Sequence, residues 1–287
     1  MFVSMKLFEN RTFIGERAQF MSSDKQYFNC VFKDGESPLK ESKNIDIRMC
    51  EFQWKYPIWY SHNVKVINSK FLETARSGVW YTDHIEIIDS CIDAPKTFRR
   101  SSNIKLVNVD MLNAKETFWN CQTVELRNVK ARGDYFGFNS EHFEISELYL
   151  DGNYCFDGAK NITIRNSTLN SKDSFWNSEN ITVIDCIING EYLAWNAKNL
   201  TFINCKIISH QGLCYMENVR LINCELIDTD LCFEFCKDID ADIVNVVDSI
   251  KNPSSGIIRV KGVKELILEE EVVNRNMTTI VIDGKQI

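Results

Sequence analysis

The sequence predicts an all-β fold, a right-handed parallel β-helix built from short stacked coils, and three observations support it. A block of about 19 residues recurs along the chain, and successive copies begin 19 to 21 residues apart. Within each block, apolar and polar residues alternate as they do in a strand. Each block also carries turn-forming and small residues at fixed positions. A period this steady is the signature of a solenoid.

Each block begins with a polar residue that opens a strand. The openers are Asn44, Asn63, His84, Asn103, Thr123, His142, Asn161, Asn180, Asn199, Asn218 and Asp238. Apolar residues one and three positions later, such as Ile162 and Ile164, share one face of the strand. Five positions after the opener, most blocks have Asn or Asp, such as Asn204, which turns the backbone and can hydrogen-bond to its equivalent in the next coil. A small residue such as Gly133 or Gly190 then marks a second turn. Each block is therefore two or three short strands joined by tight turns, stacked about 4.8 Å apart.

Two other solenoids compete for this pattern. A leucine-rich repeat has a similar length, but its Asn lies further from the last strand leucine than the Asn does here. A left-handed hexapeptide helix would keep a strict subperiod and smaller side chains. The right-handed parallel β-helix fits best, with roughly 11–12 coils of about 19 residues, capped at both ends.

Length and composition are those of one globular domain over residues 1–287. We expect an N-terminal cap over 1–19, coils over 20–261, and a C-terminal coil and cap over 262–287. The net charge of -7 argues against nonspecific nucleic-acid binding. No apolar run is long enough for a membrane span, and the first residues do not resemble a signal peptide. These features predict a cytoplasmic protein that binds neither nucleic acid nor a membrane.

The 11 cysteines are odd in number and form no C-x-x-C pair. Several occupy one inward position of the repeat, which predicts small buried side chains in a reducing compartment. The 4 histidines are scattered along the sequence. We therefore predict no metal site and no cofactor.

One outward position of the repeat has no packing explanation. Four residues before each opener the series reads Trp59, Trp80, Arg99, Trp119, Phe138, Asp157, Trp176, Trp195, Cys214 and Glu234, which includes five of the 6 tryptophans. The preceding position carries no charge and should face the core, so the tryptophan series should face outward. Exterior stacking of indoles that only stabilises neighbouring coils explains the pattern equally well.

Polar residues accompany the tryptophans, basic in the early coils and acidic in the later ones. This pattern predicts a face for an anionic, sugar-containing ligand, since Arg offers planar donors and aromatic rings suit a pyranose. The candidate ligand-binding residues are Lys55, Tyr56, Trp59, Arg76, Trp80, Tyr81, Lys96, Arg100, Trp119, Tyr135, Trp176, Glu191, Tyr192 and Trp195.

Catalysis is left open by the sequence. Glycoside hydrolysis needs two carboxylates about 5 to 9.5 Å apart, and neighbouring coils offer Glu116 with Asp134 and Asp157 with Asp173. A lyase would instead use a base such as Arg99. Opposite charges on adjacent coils also form ordinary ion pairs, which stabilise weakly.

Five segments stand out in this sequence: Gly35-Glu36-Ser37-Pro38-Leu39-Lys40, Lys55-Tyr56-Pro57-Ile58-Trp59-Tyr60, Pro95-Lys96-Thr97-Phe98-Arg99-Arg100, Lys172-Asp173-Ser174-Phe175-Trp176-Asn177 and Gly190-Glu191-Tyr192-Leu193-Ala194-Trp195-Asn196. They resemble segments of a bacterial family of uncharacterised, single-domain, pectate-lyase-like right-handed β-helix proteins. The resemblance covers almost the whole chain and implies the fold. It assigns no catalytic residue, because the family has no established function.

Two functional hypotheses follow. In the first, the aromatic face binds an acidic oligosaccharide, with or without lyase- or hydrolase-like processing. In the second, the same face is a noncatalytic scaffold that docks a protein or a second copy of the chain.

Overall fold

The computed structural model describes residues 5–287, which lie almost entirely in β-strands and tight turns. These residues form two compact units, one ending at Tyr149 and one running from Leu150 to Ile287. Helical geometry in the described part is confined to two 3₁₀ turns, Glu73–Ala75 and Arg275–Met277. The predicted β-helix is confirmed, with about 15 coils of about 19 residues.

The strands of the first unit are β1 (Lys6–Glu9), β2 (Thr12–Ile14), β3 (Ser23–Phe28), β4 (Val31–Lys33), β5 (Lys43–Arg48), β6 (Glu51–Phe52), β7 (Ile58–Trp59), β8 (His62–Ile67), β9 (Lys70–Phe71), β10 (Val79–Trp80), β11 (Asp83–Ile92), β12 (Phe98–Arg99), β13 (Ser102–Met111) and β14 (Gln122–Arg132). Strand β15 (Glu141–Asp151) contains the boundary between the units. The strands of the second unit are β16 (Lys160–Arg165), β17 (Thr168–Asn170), β18 (Glu179–Ile184), β19 (Ile187–Glu191), β20 (Lys198–Ile203), β21 (Lys206–His210), β22 (Glu217–Ile227), β23 (Lys237–Lys251), β24 (Gly256–Ile267), β25 (Thr278–Ile282) and β26 (Lys285–Gln286).

Strands pair in parallel with their equivalents one coil later, so like residues stack on like. In the first unit Val64 pairs with Ile85 in this register, and in the second Ile181 pairs with Leu200. The register extends into the segment predicted as an N-terminal cap, because β1 and β2 pair in parallel with β3 and β4. The structure therefore has more coils than the roughly 11–12 expected, because some coils lie where the sequence repeat is too irregular to recognise.

The corners of the coils use left-handed backbone. The openers Asn63, Asn199 and Asn218 have φ of 53°, 57° and 55°, and most residues five positions after an opener are also left-handed. Asn tolerates this region better than other residues with a side chain. The repeated Asn at each corner is thus selected first by backbone conformation.

The corner amides also hydrogen-bond to one another from coil to coil, as the sequence predicts. In the second unit, the Nδ2 atoms of Asn180, Asn199 and Asn218 each donate to the Oδ1 atom of the preceding opener at 2.9 Å. A second row joins Asn204 to Asp185 at 2.9 Å and Asn223 to Asn204 at 2.8 Å. Each row satisfies amide groups that would otherwise compete with the turn.

Serine and cysteine share a second, inward corner position. The Cys50 amide N–H donates to Ser69 Oγ at 3.0 Å, and the Ser167 N–H donates to Cys186 Sγ at 3.3 Å. All 11 cysteines lie in the described part of the chain, none is in a disulfide, and all but Cys91 are buried. Burial raises the pKa of the Cys50 and Cys121 thiols to about 12. The predicted role as small buried side chains is incomplete, since some thiols also accept backbone hydrogen bonds.

The amide rows lead to a first prediction. Replacing Asn199 with Ala removes two inter-amide hydrogen bonds and leaves a β-carbon in left-handed backbone, so we expect the free energy of unfolding to fall by about 1–3 kcal/mol. Asn199→Gly, which tolerates the backbone but has no amide, should lose clearly less. Chemical denaturation of both variants measures the difference. If both variants are as stable as the parent, the amide row contributes nothing to the free energy of unfolding.

Candidate ligand-binding face

A short three-stranded sheet carries the first tryptophans. Strands β7, β10 and β12 pair in parallel and align Trp59, Trp80 and Arg99 on adjacent coils. The residues just before them are fully buried, whereas these three side chains are half-exposed on the outside. We name Trp59, Trp80, Arg99 and Trp119 the first tryptophan face. Trp176 and Trp195, in the other unit, form the second tryptophan face.

The inward and outward series follow the predicted alternation, with two exceptions. The inward residues are all buried: Ile58, Val79, Phe98, Phe118, Gly137, Phe156, Phe175, Ala194, Leu213 and Phe233. In the outward series Cys214 and Glu234 are buried as well. The Glu234 carboxylate lies 2.8 Å from Lys251 Nζ, which compensates the buried charge.

Regular strand geometry is limited to the early coils of this series. Trp119 joins Arg99 only through an isolated bridge. In later coils the inward residue turns left-handed, as at Phe175 with φ of 60° and Ala194 with φ of 62°. At this position the later coils therefore have a tight turn where the early coils have a strand. Tight turns place the side chains on the same two sides there.

Each of these five indoles donates its N–H to a backbone carbonyl one coil later. Trp59 donates to Ser77 at 2.6 Å, and Trp80 to Lys96 at 2.8 Å. The remaining bonds run from Trp119 to Tyr135 at 2.8 Å, from Trp176 to Tyr192 at 2.6 Å and from Trp195 to Gln211 at 2.9 Å. The tryptophans therefore tie adjacent coils together, and their N–H groups are already used.

The ring faces of the first tryptophan face are also largely covered. Trp59 and Trp80 stack with centroids 5.1 Å apart and 8° between their planes. The Arg99 guanidinium then lies 5.1 Å from the Trp80 centroid and 4.3 Å from that of Trp119. Tyr56 contacts Trp59 at 4.6 Å. Only the rims of these rings face solvent, so a pyranose has no free indole face within the stack to lie on.

Arg99 is held electrostatically as well as by stacking. Its Nη2 donates to Glu116 Oε2 at 2.6 Å, and Lys96 Nζ lies 3.2 Å from the same oxygen. The Arg99 Nε atom is buried and has no hydrogen-bond partner among the described residues. One carboxylate thus serves two cations.

This arrangement bears on the first pair of candidate catalytic residues. A carboxylate neutralised by two cations is a poor base or nucleophile, and the Glu116 N–H donates to the backbone carbonyl of Asp134 at 2.8 Å. The Arg99 guanidinium lies between two indoles with its Nη2 on this carboxylate, and a guanidinium offers only hydrogen-bond donors, with no acceptor that could take a proton. The geometry therefore favours an ion-pair role for Glu116 and Arg99, with Asp134 on the neighbouring coil.

A pair of stacked tyrosines, one exposed and one half-buried, lies beside the first tryptophan face. Tyr60 and Tyr81 stack at 4.7 Å and 2°. Lys40 Nζ lies 5.4 Å from the Tyr60 ring, and Arg100 lies 5.8 Å from the Tyr81 ring while its Nη1 donates to the Tyr81 hydroxyl at 3.1 Å. We name Lys40, Tyr60, Tyr81 and Arg100 the tyrosine row. Sequence reasoning chose Tyr81 and Arg100 but missed Tyr60 and Lys40.

The basic candidates Lys55 and Arg76, and Lys115, which was not among the candidates, differ in their partners. Lys55 Nζ lies 3.3 Å from Glu36 Oε1. Arg76 and Lys115 are exposed, and no carboxylate of the described residues pairs with either. Tyr135 packs edge-on against Trp119 at 6.3 Å. Arg76, Lys115 and Arg100 are therefore the cations most accessible to a ligand.

The second tryptophan face is also stacked. Trp176 and Trp195 lie 5.8 Å apart at 12°, and Tyr192 and Tyr215 contact Trp195 edge-on. Glu191, a candidate ligand-binding residue, accepts from Lys172 Nζ at 2.9 Å. Both charges line a shallow surface pocket of about 280 Å³. This face has no surplus of cations.

Asp157 and Asp173, the second pair of candidate catalytic residues, differ in environment. Asp157 accepts from Asn177 Nδ2 at 3.0 Å. Asp173 is only 8% exposed, and its burial, with the negative charges of Glu191 and Asp157, raises the pKa of its carboxyl despite nearby Lys172. A carboxyl with a raised pKa beside a carboxylate suits a general acid. Its catalytic role stays a prediction.

The chain belongs to the family described as protein of unknown function, DUF3737, whose model matches residues 6–281. No curated protein matches it in sequence. The described residues include no helix long and apolar enough to cross a membrane.

Several solved structures are similar in fold. The surface adhesin PfbA of Streptococcus pneumoniae is 15% identical, with a TM-score of 0.38 over 79% of this chain and 71% of the adhesin. A tailspike protein of bacteriophage CBA120 is 8% identical, with a TM-score of 0.41 over 91% of this chain and 53% of the tailspike. The exopolygalacturonase of Thermotoga maritima is 9% identical, with a TM-score of 0.28 over 98% of this chain and 84% of the enzyme. Such low TM-scores carry no argument about ligand or reaction.

The stacked indoles lead to a second prediction. Trp80→Phe keeps a ring between Trp59 and Arg99 but loses the N–H bond to Lys96, so stability should fall by about 0.5–1.5 kcal/mol. Trp80→Ala should fall further, because it also opens the stack. Urea denaturation checks both. Equal stability of Trp80→Ala and the parent would contradict a structural role for the indole.

The raised pKa of Asp173 leads to a third prediction. A raised folded-state pKa gives a stabilising contribution that is complete below the ordinary value of 3.8 and is lost as pH rises through the folded pKa. Asp173→Asn cannot ionise, so its melting temperature relative to the parent should rise between about pH 3 and about pH 7. A benefit of Asn in this left-handed position would not depend on pH. Exposed Asp242→Asn is the control, and a pH-independent difference for Asp173→Asn would contradict the burial effect.

Proposed function

We propose that the first unit binds an anionic glycan, such as an oligouronate, across the first tryptophan face and the tyrosine row. Contact is made through ring rims, phenol hydroxyls and cationic groups rather than by a sugar lying on an indole. The cation-flanked stack of exposed Tyr60 on half-buried Tyr81 is the observation that carries the proposal.

The charge balance of this surface favours an anion. Lys96 and Arg99 are two cations paired with the single carboxylate of Glu116, and exposed Arg100 contacts Tyr81 rather than a carboxylate. Exposed Arg76 and Lys115 add positive charge without a carboxylate partner among the described residues. A chain with net charge -7 thus carries a local surplus of cations where its aromatic residues meet the surface.

The tyrosine row supplies directional recognition. Arg100 uses one donor on the Tyr81 hydroxyl and, being exposed, keeps its other donors available for a carboxylate. Phenol hydroxyls donate to and accept from sugar hydroxyls. Because equivalent groups recur on successive coils about 4.8 Å apart, a chain of several sugars can contact more than one coil.

The rigidity of the stacked tryptophans supports the same proposal. Arg99 is fixed between two indoles and its charge does not need to be ordered when a ligand arrives. A preorganised surface loses less side-chain entropy on binding. The structural role of the indoles is therefore compatible with a ligand at their rims.

A fourth prediction tests this function. The triple variant Arg76→Gln, Arg100→Gln and Lys115→Gln should bind oligouronates at least about tenfold more weakly, since one hydrogen bond to a charged group contributes about 1.5–3 kcal/mol. Titration calorimetry and its salt dependence measure the effect. The matched control is Lys70→Gln, Lys130→Gln and Arg132→Gln, which removes three exposed cations elsewhere in the same unit.

The ligand panel separates the alternatives. Binding of oligouronates without binding of neutral glucans supports the proposal. If polyphosphate binds equally well, the surface recognises polyanions in general rather than a glycan. No binding to any of these, together with a dimer in light scattering that the triple variant abolishes, would favour a docking module. Unchanged melting temperatures show that the variants remain folded.

A further inference from the structure

We propose that His62, Asp83 and His84 form a binding site for one divalent transition-metal ion of the Zn²⁺, Ni²⁺ and Cu²⁺ class. This proposal does not depend on glycan binding. The sequence predicts no metal site because its histidines are far apart along the chain. The solenoid instead places His62, at the start of β8, beside the start of β11 on the next coil.

The three side chains converge on one point. Asp83 Oδ2 lies 3.2 Å from His62 Nδ1 and 2.7 Å from His84 Nδ1. One ligand atom from each residue lies within 4.8 Å of the others. Metal–ligand bonds of about 2.0–2.2 Å in a tetrahedral site place ligand atoms about 3.3 Å apart. Small rotations of exposed imidazoles are enough to reach that geometry.

The ligand types select a class of metal. Two imidazoles and one carboxylate suit zinc, nickel, copper and iron, whereas Ca²⁺ and Mg²⁺ prefer oxygen ligands. Because the histidines are exposed, the ion keeps open positions for water or a ligand group. The expected affinity follows the general order Cu²⁺ above Ni²⁺ and Zn²⁺.

Neighbouring residues hold the carboxylate in position. Asp83 Oδ1 accepts from Ser102 Oγ at 2.6 Å and from Asn103 Nδ2 at 2.7 Å, which leaves Oδ2 directed at the histidines. Burial would raise the pKa of Asp83, but the hydrogen bonds from Ser102, Asn103 and His84 lower it overall. Outer hydrogen bonds of this kind orient a metal ligand.

The site also interrupts a structural row. Asn63 donates to Asn44 in the amide row of openers, but the next opener is His84, and Asn103 donates to Asp83 instead of to an opener. At this opener position the row therefore has the imidazole of His84 in place of an amide, next to His62 and the Asp83 carboxylate. On the preceding coil, the residue in register with His62 is Lys43. The positive charge of Lys43 helps to lower the pKa of Asp24.

A bound ion would join two adjacent coils, since His62 lies on one and both other ligands lie on the next. Equilibrium dialysis of the full chain with Zn²⁺ under reducing conditions should find one ion per chain that raises the melting temperature. In His84→Asn, which restores the usual opener, zinc affinity should fall at least tenfold. The double variant with His62→Lys, the residue found at the equivalent Lys43, should lose the site.

Controls distinguish this site from other histidines and from the cysteines. His210 Nδ1 lies 2.8 Å from Asp230 Oδ1 without a second histidine, so His210→Asn should leave zinc binding unchanged. Co²⁺ should give visible d–d bands without the near-ultraviolet band of a thiolate ligand. Equal zinc uptake by the parent and the folded double variant, loss of uptake in His210→Asn, or a thiolate band would each overturn the proposal.

Discussion

The structure depends on corners that hold the backbone in the left-handed region once or more in every turn of the coil. Asn199 is an example of such a corner, with φ of 57°. Its side-chain amide donates a hydrogen bond to Asn180 and accepts one from Asn218. Backbone strain at one corner is offset by bonds to the corners above and below it. Coils therefore stack in register, and every other row on the surface follows from that register.

Stacking in register determines what an outward row can do. Rings on successive coils lie parallel and cover each other, as Trp59 and Trp80 do, so a row of aromatic residues presents rims rather than faces. The indole N–H groups bond to backbone carbonyls of the next coil. Such a row stabilises the fold and at the same time fixes the charged groups inserted in it, of which Arg99 is the clearest case. Stability and recognition are thus properties of the same residues.

Much of the fold was predictable because the repeat separates inward from outward positions. Strand alternation assigned Phe98 and Arg99 to opposite sides and charge chose which side is outward, and the structure places them so. The partners of the indoles were not predictable, because their acceptors are backbone carbonyls that carry no sequence signal. Tyr60 was predictable in principle, since it occupies the same repeat position as Tyr81 and Arg100. His62 was not, because it is one residue out of phase with His84 in the repeat.

The inward corner cysteines have a consequence for the chemistry of the folded protein. A thiol whose pKa is about 12, as burial makes it for Cys50 and Cys121, is almost never a thiolate at neutral pH and reacts slowly with oxidants. Cys91 alone is half-exposed. Oxidation of Cys50 and Cys121 should therefore be slower in the folded protein than in the newly made or unfolded chain, whose thiols have ordinary reactivity. For these two thiols, closure of the coils suppresses the reactive thiolate form, so the fold itself protects them.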